Sequence, residues 1–145
     1  MRLSSRRVVI DTNIVFEGLT KKGSASGLIV DAWLANLIDV HVSNALAYEY
    51  ADVLSRKLSD ARWTKTRPVL KKLLTQSTYV NINFSWRPSS PDPGDEHVID
   101  CAMNANAIVI TLNVTDFRPA QKSLGLQIMQ PVPFIKQLVT DLDME

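Results

Sequence analysis

Short apolar segments alternate with amphipathic ones along this chain of 145 residues, and that alternation constrains the fold more than any other feature. Predicted strands are Arg7 to Ile10, Ile38 to Val42, Tyr79 to Phe84, Ala107 to Leu112 and Leu126 to Met129. Predicted helices are Ile14 to Leu19, Gly27 to Leu37, Ser43 or Asn44 to about Leu58, Pro68 to Thr75, Asp92 to about Asn106, and Phe134 to Leu142. Strands that alternate with helices favour a mostly parallel sheet covered on both faces. The length fits one domain, so we expect residues 1–145 to fold as a single α/β unit.

The composition is that of a soluble globular protein, with 46% hydrophobic and 21% charged residues and a net charge of +1. A total charge near zero neither supports nor excludes a nucleic-acid partner. The single cysteine, Cys101, cannot form an internal disulfide, and its apolar neighbours indicate a small buried side chain. No apolar run reaches the length of a membrane span or a signal peptide, so we expect a cytoplasmic protein.

Acidic residues stand where a parallel sheet places its ligands, at the carboxyl ends of strands. Asp11 directly follows the first predicted strand, although it is also a candidate helix cap. Asp116, with Asn113, follows the strand that ends near Leu112, where ordinary turn chemistry is the alternative.

Two further acids occupy the core-facing side of predicted helices. Glu49 lies three residues after Leu46 and four before Val53, so it falls on the apolar stripe of its helix. A carboxylate there is costly unless it is paired, hydrogen-bonded or bound to a metal, and a salt bridge with Arg56 or Lys57 is the alternative.

The second of these helices begins with a cluster of acids. Asp92 before Pro93 is a good helix cap, and Asp95 falls at the capping-box position. Asp95 also begins the face that buries Val98, whereas Glu96 and Asp100 are expected to be peripheral. Carboxylates that meet at one edge repel one another, and an oxygen-only ligand set suits Mg²⁺ or Mn²⁺ rather than zinc.

The ordered set of motifs resembles the PIN-domain family. The motifs are Asp11-Thr12-Asn13, the helix of Glu49, the segment Asp92 to Val98, and the segment Thr111 to Phe117. They occur in that family's order and spacing over nearly the whole chain, from about Val8 to Leu138.

The resemblance implies a PIN-like three-layer α/β/α sandwich and Mg²⁺- or Mn²⁺-dependent cleavage of RNA, as in VapC-like ribonucleases. It assigns catalytic roles to Asp11, Glu49, Asp95 and Asp116. Metal ligands would be Asp11, Asp95 and Asp116, whereas Thr12, Asn13 and Asn113 would contact substrate or the ligands. Many bacterial members are toxins with an antitoxin partner. Gly94 and Glu96 depart from the residues that relatives often carry, and Asn113 offers a carbonyl where others offer a carboxylate.

Two other features point to partners. A basic stretch around the third and fourth helices contains Trp63, which could stack on a base. The alternative is that the cations lie on solvated helix faces and that Trp63 belongs to the core. The cations of the stretch are Arg56, Lys57, Arg62, Lys65, Arg67, Lys71 and Lys72. Apolar residues on the early helices, with the family analogy, predict a homodimer; they include Leu28, Trp33, Leu34 and Leu37.

Competing function classes remain. A PIN-like fold without catalysis, acting as an RNA- or protein-binding module, is the main alternative. A dehalogenase-like site needs an acid where Asn13 stands, a receiver domain needs an acidic pair that is absent, and no P-loop occurs.

Overall fold

A computed structural model describes residues 5–87 and 89–144. The strands are β1 (Arg7–Ile10), β2 (Asp39–Val42), β3 (Thr78–Tyr79), β4 (Ile108–Ile110) and β5 (Gln127–Met129). The helices are α1 (Thr12–Thr20), α2 (Ala25–Leu34), α3 (Asn44–Lys57), α4 (Asp60–Thr75), α5 (Glu96–Ala105), α6 (Val114–Leu124) and α7 (Pro131–Asp143), and a short 3-10 helix (Pro93–Asp95) leads into α5.

The five strands form one parallel sheet in the order β3-β2-β1-β4-β5, which confirms the predicted α/β class. The strand order reverses between β1 and β4, whose residues Ile10 and Ile110 are register partners. Ligands of open α/β sheets bind beyond the carboxyl ends of the strands at such a reversal. Asp11 and Thr111, the next residues of the two strands, therefore flank the expected binding crevice.

The helices cover both faces of the sheet, as a PIN-like three-layer sandwich requires. Right-handed crossovers place α1 to α4 on one face and α5 and α6 on the other. The contacts agree, because α1 packs on α2 and α3, and α4 packs on α2 and α3, whereas α5 packs on β1, β2 and β4. The last helix, α7, packs against α2. In the described part of the chain, no helix is long and apolar enough to cross a membrane.

The core is formed around the apolar strands. It also contains Trp33, which we predicted to lie at a dimer surface. Trp33 is completely buried and its Nε1 donates to the Ser77 hydroxyl at 3.1 Å, so it cannot contribute to an interface. Leu28 and Leu37 are exposed as that prediction requires. Cys101 is buried, as expected, and burial raises the pKa of its thiol to about 12.

The strand predicted for Tyr79 to Phe84 is wrong beyond its first residue. β3 ends at Tyr79, the Val80 amide still donates to the Val42 carbonyl at 2.8 Å, and the chain then runs along the surface. The amides of Asn83 and Phe84 donate to the Asn104 side chain instead of to a neighbouring strand. This segment is extended and apolar enough to look like a strand, but it has left the sheet edge.

Two helices differ from their predicted positions. α4 begins at Asp60, where Ser59 caps it by accepting from the Arg62 amide, and it continues through Pro68, at which the sequence placed its start. α6 was not predicted, because its first residues favour a turn and Pro119 falls inside it. Burial of Phe117 and Ala120 stabilises α6 despite that proline.

Candidate active site

Asp11 lies at the end of β1 and is only 2% exposed. It occupies the N-cap position of α1, but its carboxylate makes no cap hydrogen bond. Instead, the Thr111 hydroxyl, at the end of β4, donates to Asp11 Oδ2 at 2.7 Å. The Asn113 amide in turn donates to the Thr111 oxygen at 2.9 Å. The carboxylate is therefore held across the strand reversal rather than used to cap a helix.

Glu49 reaches the same edge from α3. The neighbouring Tyr50 is fully buried, and its hydroxyl donates to the carbonyl of Ile10, which fixes α3 against the end of β1. The Thr12 hydroxyl donates to Glu49 Oε2 at 2.9 Å. Glu49 is half-buried and its side chain makes no ion pair with Arg56 or Lys57. Arg56 pairs with Asp52 instead, so the salt-bridge alternative for Glu49 is wrong.

Gly94 lies close to the Glu49 carboxylate. A Cβ atom at position 94 would be 3.4 Å from Glu49 Oε1 and 3.3 Å from Asp92 Oδ1. The contact with Asp92 would be tight and the contact with Glu49 would be ordinary, so a side chain at position 94 would touch both carboxylates.

Three carboxylates form the tightest acidic cluster of the described residues. Asp92, Asp95 and Asp116 each present an oxygen, and these oxygens lie within 4.8 Å of one another. Asp92 also accepts from the Gly94 amide at 2.9 Å, so it caps the 3-10 helix as expected. The sequence assigned Asp92 only that capping role, and its place in the cluster was missed.

The loop before the 3-10 helix is held by two buried acids of α5. Glu96 accepts from the Ser89 amide and hydroxyl, both at 2.7 Å, and from the Ser90 amide at 2.9 Å. Asp100 accepts from Arg87 Nε and Nη2 at 3.1 and 2.8 Å. The expectation that Glu96 and Asp100 are peripheral is wrong, because α5 is buried on most sides and both acids are needed to satisfy the loop.

Ser90 connects this loop to the cluster. Its hydroxyl lies 3.2 Å from both Asp95 Oδ2 and the carbonyl oxygen of Asp116. The segment from Trp86 to Gly94 is rich in Pro and Ser, a composition typical of a loop, and its Pro88 lies outside the described residues. No pattern in the Ser-Ser-Pro run predicts which hydroxyl will meet both a carboxylate five residues further along and a backbone carbonyl 26 residues further along.

Asp95, Asp11 and Glu49 have pKa values shifted toward their protonated forms. The pKa of Asp95 is raised to about 7, mainly by burial and in part by the charges of Asp11, Asp92 and Asp116, against a lowering by the Ser90 hydroxyl. Burial likewise raises the pKa of Asp11 to about 6, although the Thr111 hydroxyl opposes it. Burial also raises the pKa of Glu49, against the hydrogen bond from Thr12.

Glu96 behaves in the opposite way, which separates it from the cluster. Burial acts to raise its pKa, but the hydrogen bonds from Ser89 and Ser90 together outweigh burial and leave the pKa lowered. The raised pKa values of Asp95, Asp11 and Glu49 thus distinguish these acids from Glu96, whose pKa is lowered because its carboxylate accepts hydrogen bonds from the loop.

Asn13 and Asn113 lie beside the acids without joining them. Both are exposed, and both line a cavity of about 260 Å³ between α1 and the end of β4. Lys21 and Leu112 also line it. The two amides thus face a common space next to Asp11, as a role in substrate contact requires.

The PIN domain family model matches residues 7–115. The chain belongs to the PIN domain family. Proteins with PIN domains are generally nucleases that use divalent metals. No curated protein matches the chain.

Three solved structures have a similar fold at low identity. VapBC2 from Rickettsia felis, bound to a DNA fragment from its promoter, has 13% identity and a TM-score of 0.62, over 86% of this chain and 98% of that one. FitAcB from Neisseria gonorrhoeae has 15% identity and a TM-score of 0.60, over 86% and 98%. VapBC-1 from nontypeable Haemophilus influenzae has 15% identity and a TM-score of 0.60, over 87% and 98%.

The PIN fold thus brings together acids from four separate parts of the sequence. Asp11 and Glu49 are joined through their neighbour Thr12, and Asp95 interacts electrostatically with both Asp11 and Asp116. Thr111 and Ser90, which hold these acids, were not among the predicted site residues. Thr111 could have been found, because it follows β4 as Asp11 follows β1.

Proposed function

We propose that this PIN domain is a Mg²⁺- or Mn²⁺-dependent ribonuclease with Asp11, Glu49, Asp95 and Asp116 as catalytic residues. The observation that carries this proposal is the cluster of Asp92, Asp95 and Asp116 at the strand reversal, in which burial and mutual repulsion raise the pKa of Asp95 to about 7. Strongly perturbed acids in a crevice favour a functional site over a structural one.

The donor set fits a hard divalent cation. Mg²⁺ binds oxygens at about 2.1 Å, so two oxygens of one shell are at most about 4.2 Å apart. The three carboxylate oxygens lie within 4.8 Å of one another, which small side-chain movements would close to that spacing. No histidine or cysteine belongs to the cluster of described residues, which favours Mg²⁺ or Mn²⁺ over zinc.

Each residue then has a task. Asp95 and Asp116 hold the cation together with Asp11, and Asp92 adds charge to the same group. Glu49, held by the Thr12 hydroxyl, orients the attacking water. Asn13 and Asn113 contact the RNA beside Asp11. When bound, a divalent cation lowers the pKa of a coordinated water and neutralises charge that develops on the phosphate.

The test is cleavage of single-stranded RNA by the wild-type chain and by Asp11→Asn, with Asp52→Asn as a matched control on the exposed side of α3. We expect metal-dependent cleavage by the wild type and by the control, and a loss of at least about 100-fold in Asp11→Asn. A wild-type rate in Asp11→Asn would show that the site assignment is wrong. Absence of metal-dependent thermal stabilisation and of cleavage in the wild type would favour the non-catalytic binding module.

We further propose that the chain is the toxin of a toxin–antitoxin pair. The structural neighbours, which are VapBC and FitAB toxin–antitoxin complexes, support this. Induced expression should arrest growth of a bacterial host, and co-expression of a small protein encoded directly upstream should relieve the arrest. Growth arrest that persists in Asp11→Asn would contradict a ribonuclease toxin.

A homodimer is the third part of the proposal. An apolar groove of about 320 Å³ lies between α2 and α7. It is lined by Leu28 and Leu37, which the sequence singled out, and by Val139, which is 52% exposed. Exposed apolar residues that line one groove are typical of a protein interface.

A further inference from the structure

The fourth helix has an unusual excess of positive charge. α4 carries five cations and one acid, Asp60; the cations are Arg62, Lys65, Arg67, Lys71 and Lys72. All five are exposed, and in the ranges 5–87 and 89–144 none of them forms an ion pair. A solvated helix normally mixes charges of both signs. This helix instead presents a positive surface that attracts phosphate.

Part of that surface lines an open pocket. A cavity of about 760 Å³ lies between α4, α3 and β3, and none of its lining residues in the described part of the chain is acidic. Arg67 and Lys71, one turn apart on α4, stand beside two aromatic rings, Trp63 and Tyr79. Trp63 is half-buried against the core, so its ring is fixed, and Tyr79 is 50% exposed. Two cations of the basic stretch noted in the sequence thus line the same pocket as Trp63.

One lining residue of the pocket, Tyr79, lies at the carboxyl end of its strand, the edge of the sheet at which Asp11 also lies. Tyr79 is the register partner of Val42 in β2, and the β1–β2 register, continued by two residues, aligns Val42 with Ile10. Neighbouring strands lie about 4.8 Å apart, so Tyr79 is about 10 Å from Ile10, the residue before Asp11. A chain of nucleotides can extend from the acids to the pocket.

We propose that this pocket binds one nucleotide of a single-stranded RNA, with its base against Trp63 and Tyr79 and a flanking phosphate on Arg67 and Lys71. The inference rests on the proposed function, because it takes RNA as the substrate. Aromatic rings stack on bases only where these are unpaired, as in single strands and loops. The rings and cations together match a nucleotide better than an acidic protein segment, which would use the cations and leave the aromatic faces without a stacking partner.

The test measures binding in EDTA, where no cleavage is expected, by the fluorescence anisotropy of a short, unstructured, labelled oligoribonucleotide. Arg67→Gln with Lys71→Gln removes the two cations of the pocket, and Arg62→Gln with Lys65→Gln removes two from the same helix outside it. We expect the pocket variant to lose at least about tenfold more affinity than the control. Its salt dependence should also weaken by about 1.4 in the slope of log affinity against log salt, for two phosphate contacts.

The stacking contact has its own pair of variants. Trp63→Leu should weaken binding by between about 5- and 150-fold, whereas Trp86→Leu, which is 37% exposed but outside the pocket, should not. Because Trp63 packs partly on the core, thermal unfolding of Trp63→Leu is measured as well. Trp63→Phe, which keeps an aromatic ring, should recover most of the affinity.

Three results would overturn the proposal. Equal losses of RNA affinity in the two double variants would show that the RNA is attracted by the total positive charge of α4 and is not bound in the pocket. Unchanged binding in a folded Trp63→Leu, with displacement of the RNA by an acidic peptide at similar concentration, would assign the pocket to a protein partner. No binding of the oligoribonucleotide at low salt would exclude a nucleotide site. None of these binding experiments measures cleavage. A failed Asp11→Asn cleavage test would therefore refute the ribonuclease without affecting the nucleotide site, and a failed binding test would refute the nucleotide site without affecting the ribonuclease.

Discussion

Replacing Asp95 by asparagine should stabilise the metal-free protein, and the gain should grow with pH. The pKa of Asp95 is 3.8 in its ordinary state and about 7 in the fold, chiefly because of burial. The folded protein therefore holds a proton that the unfolded chain releases, so the free energy of unfolding falls as pH rises from about 4 to about 7. The difference in pKa corresponds to at most about 4 kcal/mol above that window, and coupling to the neighbouring acids makes the measured value smaller.

The assay is urea unfolding in EDTA at about pH 4 and about pH 8, followed by circular dichroism. Asp95→Asn should match the wild type within about 1 kcal/mol at the lower pH and exceed it by about 2–4 kcal/mol at the higher pH. Asp52→Asn, an exposed acid paired with Arg56 at 3.0 Å, should show no such growth. Added Mg²⁺ should stabilise the wild type much more than Asp95→Asn.

A difference in stability between Asp95→Asn and the wild type that is the same at both values of pH would contradict this prediction. Such a result would mean that Asp95 ionises in the folded protein as it does in the unfolded chain. The carboxylates of the cluster would then not destabilise the metal-free protein by repelling one another. The stability advantage of Asp95→Asn could also grow with pH and yet persist when Mg²⁺ is added. That result would support the raised pKa of Asp95 and reject the metal site.

Two further predictions concern the neighbouring acids Asp92 and Glu96, and a third concerns the apolar groove between α2 and α7. Asp92→Asn keeps a capping side chain but removes charge from the cluster. It should weaken Mg²⁺ binding several-fold, as measured by calorimetry, and change the stability by less than about 1 kcal/mol. An unchanged Mg²⁺ affinity would show that Asp92 does not belong to the site. Glu96→Gln should cost about 1–3 kcal/mol at neutral pH and leave the metal affinity as it is, and a selective loss of Mg²⁺ binding would reverse the assignment. The wild type should be a homodimer by light scattering and Leu28→Glu a monomer at the same concentration; a wild-type monomer at high micromolar concentration would contradict the interface.

Local patterns predicted the parts of the site that depend on one element at a time. Asp11 follows an apolar strand, and Glu49 lies on an apolar helix stripe, so both positions could be placed before the fold was known. The family and the α/β/α architecture, also predicted from the sequence, are confirmed by the family match and the sheet. The catalytic roles of these residues remain predictions.

The parts that depend on long-range packing could not be predicted. The first turn of α6 looks like a loop until Phe117 is buried, and Ser90 has no signature of its own. Glu96 and Asp100 looked peripheral because their partners belong to the preceding loop, which carries no regular pattern. Trp33 and Trp63 lie in similar amphipathic settings, yet the first is core and the second faces an open pocket.

The hydrogen bond between Thr111 and Asp11 joins residues 100 positions apart, and this has a consequence for folding kinetics. Asp11 cannot approach Asp95 until β1 and β4 have paired, and because that pairing closes a very long loop we expect it to be slow and late. Their repulsion is therefore expected to be weak in the folding transition state and full in the native state. Relieving it, by a cation or by Asp95→Asn, should slow unfolding and leave the folding rate nearly unchanged.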